Sequence, residues 1–331
     1  MSRPETIRRF LEDAGWGGAR RGCLAGDASF RRYDRLEEGE RRAVLMDAPP
    51  PQEDVRPFLR IARHLGALGY SVPLILAADE TAGLLLLEDL GDDTYTRLLA
   101  AGGDEPGLYR LAVDVLVDLH RRPAAEAIPD GVPAYDLDRL LAEALLLTDW
   151  YLPAITGTPT PDTVRQAYIE AWTAVLPVAR GVPDTLVLRD FHVDNLMGLA
   201  SRPGVRGCGL LDFQDAVAGP VTYDLMSLLE DARRDIDPSL VASLKAHYRA
   251  AFPELEPAAF DASFAVMAAQ RHAKVIGIFT RLCLRDGKPG YLSHIPRVWR
   301  LLEAALVHPI LAPVAEWIER TIPPEQRQVP S

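Results

Sequence analysis

Cysteine is scarce: Cys23, Cys208 and Cys283 are the only three in 331 residues. An odd, widely spaced set fits neither a disulfide framework nor paired zinc knuckles, and it points to a reducing compartment. Histidine is equally dispersed. His64, His120, His247, His272, His294 and His308 form no close-spaced pair, so a zinc site is not expected. Long apolar runs are missing as well, since no uncharged stretch reaches the ~18 residues of a membrane span. The segment from Met1 to Arg9 enters a charged amphipathic pattern without an apolar signal core. These features together predict a cytoplasmic protein. Positive charge is in deficit: 36 Lys and Arg face 47 Asp and Glu, a formal charge of −11. That surplus repels polyphosphate backbones and anionic lipid, so neither nucleic acid nor a membrane is an expected partner. A small anionic substrate that meets a few local cations is not excluded.

What is present is ordinary globular composition, 48% hydrophobic and 25% charged, which excludes wholesale disorder and fibrous repeats. The length suits two domains or one two-lobed unit, expected to be a monomer. Ile7, Phe10, Leu11 and Ala14 recur at helical spacing between Pro4 and Gly15 and predict an N-terminal helix. Residues 28–36 and 41–46, joined by the polar Glu37–Glu40, predict a hairpin. Phe58, Ile61, Ala62, Leu65 and Leu68 mark a second helix, and Gly83–Leu87 a buried strand. Beyond Glu88-Asp89-Leu90-Gly91 the periodicity is helical, over 94–101, 106–121, 136–150, 162–176, 222–234, 238–251, 257–283 and 294–307. Two short strands, Thr185–Leu188 and Cys208–Leu211, interrupt it. Pro-containing stretches at 49–51, 157–161 and 322–330 read as loops or a frayed tail. The predicted fold class is therefore α+β, a small strand-rich lobe over 1–90 followed by a large, mainly helical lobe over 91–331.

Chemistry concentrates at Leu188-Arg189-Asp190-Phe191-His192-Val193-Asp194-Asn195-Leu196. Asp190 and Asn195 lie five residues apart where a strand ends, and Asp212 follows 17 residues later at the end of the next strand. Phosphoryl transfer needs one carboxylate to orient and deprotonate a hydroxyl, and an amide with a second carboxylate to hold magnesium on the phosphates. Any one of these residues alone reads as a turn or cap residue; their joint spacing points to a kinase. Trp150, Trp172 and Trp299 fall on apolar helical faces and are expected in the core.

The set Asp-x4-Asn, then Leu211-Asp212-Phe213, resembles the catalytic loop and metal aspartate of protein kinases and small-molecule kinases. Leu188 stands where the His-Arg-Asp sequence has its histidine. Leu210–Asp215, followed by Gly219-Pro220-Val221-Thr222-Tyr223-Asp224-Leu225, resembles the aminoglycoside phosphotransferase and choline kinase-like superfamily. The likeness implies a two-lobed protein-kinase-like fold, ATP and Mg2+ as cofactors, and a role for Asp224 in supporting the catalytic loop. A helix N-terminal role for Asp224 is compatible with that support. Gly26–Tyr33, Leu45–Pro50 and Arg189–Asn195 together resemble bacterial anomeric amino-sugar kinases, over roughly residues 20–300. That resemblance implies phosphorylation of N-acetylmuramate and N-acetylglucosamine at C1, in cell-wall recycling, with a small amino sugar as partner. Aminoglycosides, choline or another alcohol as acceptor, and a nucleotide-binding pseudokinase, are the alternatives.

On this reading Asp190 is the base, and Asn195 and Asp212 hold the metal. Gly26 and Ser29, in a glycine-led turn, bring backbone N–H groups toward phosphate. The third strand, Ala43-Val44-Leu45-Met46, lacks the lysine or arginine that such kinases carry there, and Arg31 or Arg32 is the candidate replacement. Glu53 or Asp54 is the candidate for the helix glutamate. No Walker A pattern occurs, since Gly287-Lys288 runs into Pro289. Glu88 and Leu90 fall where the resemblance puts the adenine-binding hinge. For the sugar, candidates are His192, Asp194, Gln214 and Asp215, and Arg271 within the polar run Gln270, Arg271, His272, Lys274 and Arg281. His192 also reads as a hydrogen-bonding organiser of the loop, and for each residue of the polar run a solvated helix face is the simpler expectation.

Overall fold

The computed structural model describes residues 2–26 and 30–330. In chain order its main elements are α1 (Arg3–Asp13), β1 (Arg20–Gly26), β2 (Arg32–Glu38), β3 (Arg41–Asp47), α2 (Arg56–Ala67), β4 (Ile75–Asp79), β5 (Leu84–Glu88), α3 (Tyr95–Ala100) and α4 (Glu105–His120). They continue with α5 (Ala124–Ala127), α6 (Leu137–Ala144), α7 (Leu152–Thr156), α8 (Asp162–Val175), β6 (Asp184–Val187), β7 (Leu196–Gly198), β8 (Cys208–Leu210) and β9 (Val217–Pro220). The last are α9 (Thr222–Leu229), α10 (Pro238–Ala250), α11 (Pro257–Leu284), α12 (Ile295–Leu306) and α13 (Ala312–Thr321). The chain divides into two compact units, Met1–Ala112 with Val193–Asp215, and Val113–His192 with Ala216–Ser331. The sheet ends near residue 90, but the unit built on it runs on to Ala112 and takes in the later β7–β8 hairpin.

In the first unit, among the described residues, β1-β2-β3-β5-β4 form an antiparallel sheet in that order. Strand alternation sends Ala43, Leu45, Leu84 and Leu86 to one face, where they bury against Ile7, Leu11 and Trp16 of the α1 region. The same alternation turns Val44, Met46, Leu85 and Leu87 to the other face, so β3 and β5 are apolar on both sides and read as continuous runs. Phe58 of α2 stacks on Phe213 at 5.0 Å between ring centroids. The predicted hairpin is β2–β3, and residues 28 and 29 of its expected first strand lie outside the described residues. Strands β1 and β4 do not show as periodic patterns: β1 opens on two arginines and contains two glycines, and β4 is an edge strand of alternating burial over only five residues.

In the second unit α11 is the organising element. It spans 28 residues, and Gln270, Arg271 and His272 are buried on it rather than solvated, because neighbouring elements surround the helix. The predicted helix 136–150 is instead α6 followed by a π turn at Leu147–Tyr151, which opens the backbone just before Pro153, a residue without an N–H. The predicted helix over 222–234 stops at Leu229. Trp172 and Trp299 are buried as expected, while Trp150 is half-buried. Residues 322–330 are tied down rather than frayed: the Tyr151 hydroxyl donates to the Gln328 carbonyl at 2.8 Å and Arg327 Nε to that of Ile322 at 3.0 Å. Among the described residues no single helix is long and apolar enough to cross a membrane.

Gly277 lets α11 lie directly on the backbone that enters the π turn; a Cβ there would meet the carbonyl carbon and oxygen of Leu146 at 2.3 Å. Alanine gains about 1 kcal/mol in helix propensity but forces main chain apart, so Gly277→Ala should lose about 1–3 kcal/mol net. Thermal unfolding checks this, and an unchanged or raised melting temperature would contradict the close approach.

Candidate active site

Two non-glycine residues among those described take a left-handed backbone, Arg189 at φ 70° and Asp212 at φ 57°. Such conformations cost about 1–3 kcal/mol each and persist only where the surroundings impose them. Both follow a short strand; Arg189 directly precedes Asp190, and Asp212 is itself a residue expected to do chemistry.

The first is in the second unit. Strand β6 pairs with β9, and the chain leaving it folds tightly about Arg189, with Asp190 N–H donating to the Leu188 carbonyl at 2.9 Å. One buried carboxylate holds this turn: Asp224, on α9, accepts from Leu188 N–H at 2.6 Å and Arg189 N–H at 2.9 Å. The Arg189 side chain is fixed too, through an ion pair with Glu143. Glu143 also takes Lys274 Nζ at 3.1 Å, Gln270 Nε2 at 3.2 Å and the Tyr135 hydroxyl. Burial works against the Glu143 charge, but Lys274 and Arg189 outweigh it and keep its carboxyl below the usual range.

Asp190 therefore emerges from a backbone held at the two residues before it. Burial pushes its carboxyl up, and His192, Lys274, Arg271 and Arg189 pull it back below the ordinary aspartate range. His192 is itself buried, and desolvation lowers it to about 4, so the imidazole is neutral near pH 7 and the lysine and two arginines carry the pull there. The His192 Nε2 lies 3.5 Å from Arg233 Nη1. Arg271, only 4% exposed, lies close enough to Asp190 and Asp231 to feel both charges.

The second strained residue is in the first unit. Strands β7 and β8 form a hairpin whose ends are joined by Leu211 N–H donating to the Asn195 carbonyl at 2.9 Å. This brings Asn195 Nδ2 to 3.4 Å from Asp212 Oδ2, while Gln214 Nε2 donates to Asp212 Oδ1 at 2.7 Å. Phe213, stacked on Phe58, anchors the backbone beside Asp212. An amide and a carboxylate are the hard oxygen donors that magnesium takes, so the donor set fits that ion.

Asn195 and Asp212 border a cavity of about 330 Å³ whose walls include Tyr33, Val44, Leu87, Met197 and the segment Glu88–Gly91. Its lining is mostly apolar side chains, as a flat aromatic base requires. Arg35, unremarked by sequence reasoning, clamps residues 89–92: its Nε lies 2.7 Å from Asp89 Oδ2 and its Nη1 3.0 Å from Asp92 Oδ1. Glu88 is engaged by Arg202. No local spacing announces these pairs, whose members are 54 or more positions apart in sequence.

The remaining candidates separate. Ser29 lies outside the described residues, and Gly26 is the last residue of β1, paired with Arg32. Arg32 is exposed, whereas Arg31 is nearly buried, with Nε 3.1 Å from Glu53 Oε2 and Nη1 3.9 Å from Asp212 Oδ1. Asp54 instead pairs with Arg56. Asp194 accepts from the Thr96 hydroxyl, Gln214 is turned to Asp212, and Asp215 is exposed.

The fold and the site define a kinase-like phosphotransferase. A family model described as "Phosphotransferase enzyme family" matches residues 23–259, and the chain belongs to that family. It is 38% identical to the N-acetylmuramate/N-acetylglucosamine kinase of Caulobacter vibrioides, with 96% of each chain covered. It is 41% identical to the protein of the same name from Pseudomonas aeruginosa, over 91% of this chain and 89% of that one. Among solved structures, the GDP complex of aminoglycoside 2′-phosphotransferase-IIIa superposes with a TM-score of 0.61 at 16% identity, covering 92% of this chain and 98% of that one.

The Asp224 clamp carries a pH signature. Burial lifts its carboxyl to about 7, against the pull of the Leu188 and Arg189 amides. The raised value means that the folded state holds the proton more tightly than the unfolded chain, whose aspartate titrates near 3.9. The stabilisation is complete below about pH 4 and is lost as pH rises through about 7. Asp224→Asn, with one acceptor oxygen for two amides, should cost about 1–3 kcal/mol at low pH. Its deficit relative to wild type should narrow between about pH 4 and 7 in denaturant titrations, and a deficit that widened would refute the assignment.

Proposed function

We propose that the protein transfers the γ-phosphoryl group of ATP to the anomeric C1 hydroxyl of N-acetylmuramate and N-acetylglucosamine. The observation that carries the chemistry is the pair Asn195–Asp212, 3.4 Å apart at the border of an apolar cavity of about 330 Å³. The acceptor rests on the relatives: two chains 38% and 41% identical over nearly their whole length bear that name.

The adenine occupies the cavity against Val44, Leu87 and the backbone of residues 88–91. Asn195 and Asp212 hold Mg2+, which when bound neutralises charge on the β- and γ-phosphate oxygens. Asp190, ionised at neutral pH, orients the C1 hydroxyl and accepts its proton. The sugar oxygen forms a bond to the γ-phosphorus as the bond to the bridging β–γ oxygen breaks, and ADP leaves with that electron pair. A carboxylate of low basicity suffices, because the transition state is loose and the proton leaves late. Arg271 and Lys274, whose charges help to hold Asp190 ionised, are the cations from which a sugar carboxylate would gain.

Asp190→Asn should lower kcat by about 10²–10⁴-fold with a small change in the KM for ATP, because the amide keeps the shape and cannot take a proton. Coupled ADP-release assays on folded variant check this. Phosphorus NMR of the wild-type product should place the phosphate on C1; product formed from cationic aminoglycosides alone would overturn the acceptor.

A further inference from the structure

We propose that Arg31, held by Glu53, supplies the positive charge at the nucleotide phosphates that the third strand does not, a reading that rests on the nucleotide chemistry above. Strand β3 has cations only at its exposed start, where Arg41 lies over Trp16 and pairs with Glu38 and Arg42 lies 3.9 Å from Glu37, and none from Ala43 onward. Val44 borders the cavity, and Met46, two residues on and therefore on the same face, is buried and uncharged. A kinase without a cation here would face three or four phosphate charges with only the metal.

The neighbouring strand answers this. Arg31 immediately precedes β2 and lies two residues before Tyr33, which lines the cavity. Its side chain is 12% exposed and its Nη1 lies 3.9 Å from Asp212 Oδ1, so the charge sits at the metal end of the cavity rather than at the adenine end. Glu53 does two things at once. Oε2 takes Arg31 Nε at 3.1 Å, and Oε1 takes the Phe30 backbone N–H at 3.1 Å. One carboxylate thereby fixes both the guanidinium and the main chain that carries it. Burial opposes the Arg31 charge, and Tyr33, Glu53, Asp212 and Asp215 together more than restore it. Arg32, pointing to the opposite face, and Asp54, paired with Arg56, have no part in this arrangement. The arginine–glutamate pair is built from the residue before a strand and the loop before α2.

A planar guanidinium grips two oxygens of neighbouring phosphates, which an ammonium does not. Binding is read by titration calorimetry without sugar, so turnover is not needed. Arg31→Met should weaken Mg-ATP and Mg-ADP by about 10–100-fold and leave adenosine unchanged, since adenosine has no phosphate to lose. Arg31→Lys should fall between, and Glu53→Gln should weaken ATP by about 3–10-fold, again without touching adenosine. If Arg31→Met fails to fold, Arg31→Lys and Glu53→Gln are judged by the same selectivity. Equal losses for ATP and adenosine, or full ATP affinity in folded Arg31 variants, would overturn the clamp. Wild-type protein that bound no nucleotide would instead remove the reading beneath it.

Discussion

The structure depends on one buried carboxylate closing over two backbone amides. Asp224 receives Leu188 and Arg189 N–H at 2.6 and 2.9 Å, and without it the left-handed turn at Arg189 would leave two main-chain donors unmatched. The free-energy terms are of similar size. A left-handed non-glycine residue costs about 1–3 kcal/mol, and each hydrogen bond returns about 0.5–1.5 kcal/mol to a neutral acceptor or about 1.5–3 kcal/mol to a charged one. The opposing cost is desolvation, visible as the lift of Asp224 to about 7. A carboxylate buried this deeply is a poor choice for stability alone; it is a good choice where a loop must present the next residue at one angle.

The first unit solves the same problem with other means. Asp212 is also left-handed, but main-chain pairing of Leu211 with Asn195, the amide of Gln214 and the Phe213–Phe58 stack hold it. Here an apolar anchor replaces a buried charge. The difference follows from the ligand proposed: a metal-binding carboxylate must keep its charge and part of its access to solvent, so support comes from its flanks and from one neutral amide.

Much of this was legible in the chain. Helix α11 was predicted over 257–283 and runs from Pro257 to Leu284, because so long an apolar period leaves little choice. Asp190, Asn195 and Asp212 stood out because their spacing is local to two strand ends. What escaped is whatever depends on partners far apart in sequence. Arg271 on α11 looked like part of a solvated face, and only packing from neighbouring elements buries it. Arg35 meets Asp89 and Asp92 across more than fifty positions. The tail after α13 looked frayed from its prolines and polar residues, yet it is tied by the hydroxyl of Tyr151, a residue 177 positions before Gln328. Periodicity reports which face is apolar; it is silent about which residue lies opposite.

The acidic balance of the chain, −11 overall, sharpens the demand on its few cations near the chemistry. A nucleotide approaching such a protein is repelled at long range, though salt screens exposed charge beyond about 8 Å under physiological conditions. What remains after screening is short-range and local, and there geometry counts for more than the total. In the first unit Arg31 is held between Glu53 and Asp212; in the second, Arg271 and Lys274 sit near Asp190 and Glu143. Arg31 and Lys274 are each partly desolvated and already paired with a carboxylate, so little side-chain freedom is left to lose when an anion arrives. A surface lysine would be cheaper to place and weaker in use. The same reasoning explains why an acidic chain of this kind suits a small anionic ligand and not a polyanion, for a few locally held cations can meet a small anion but cannot line a backbone.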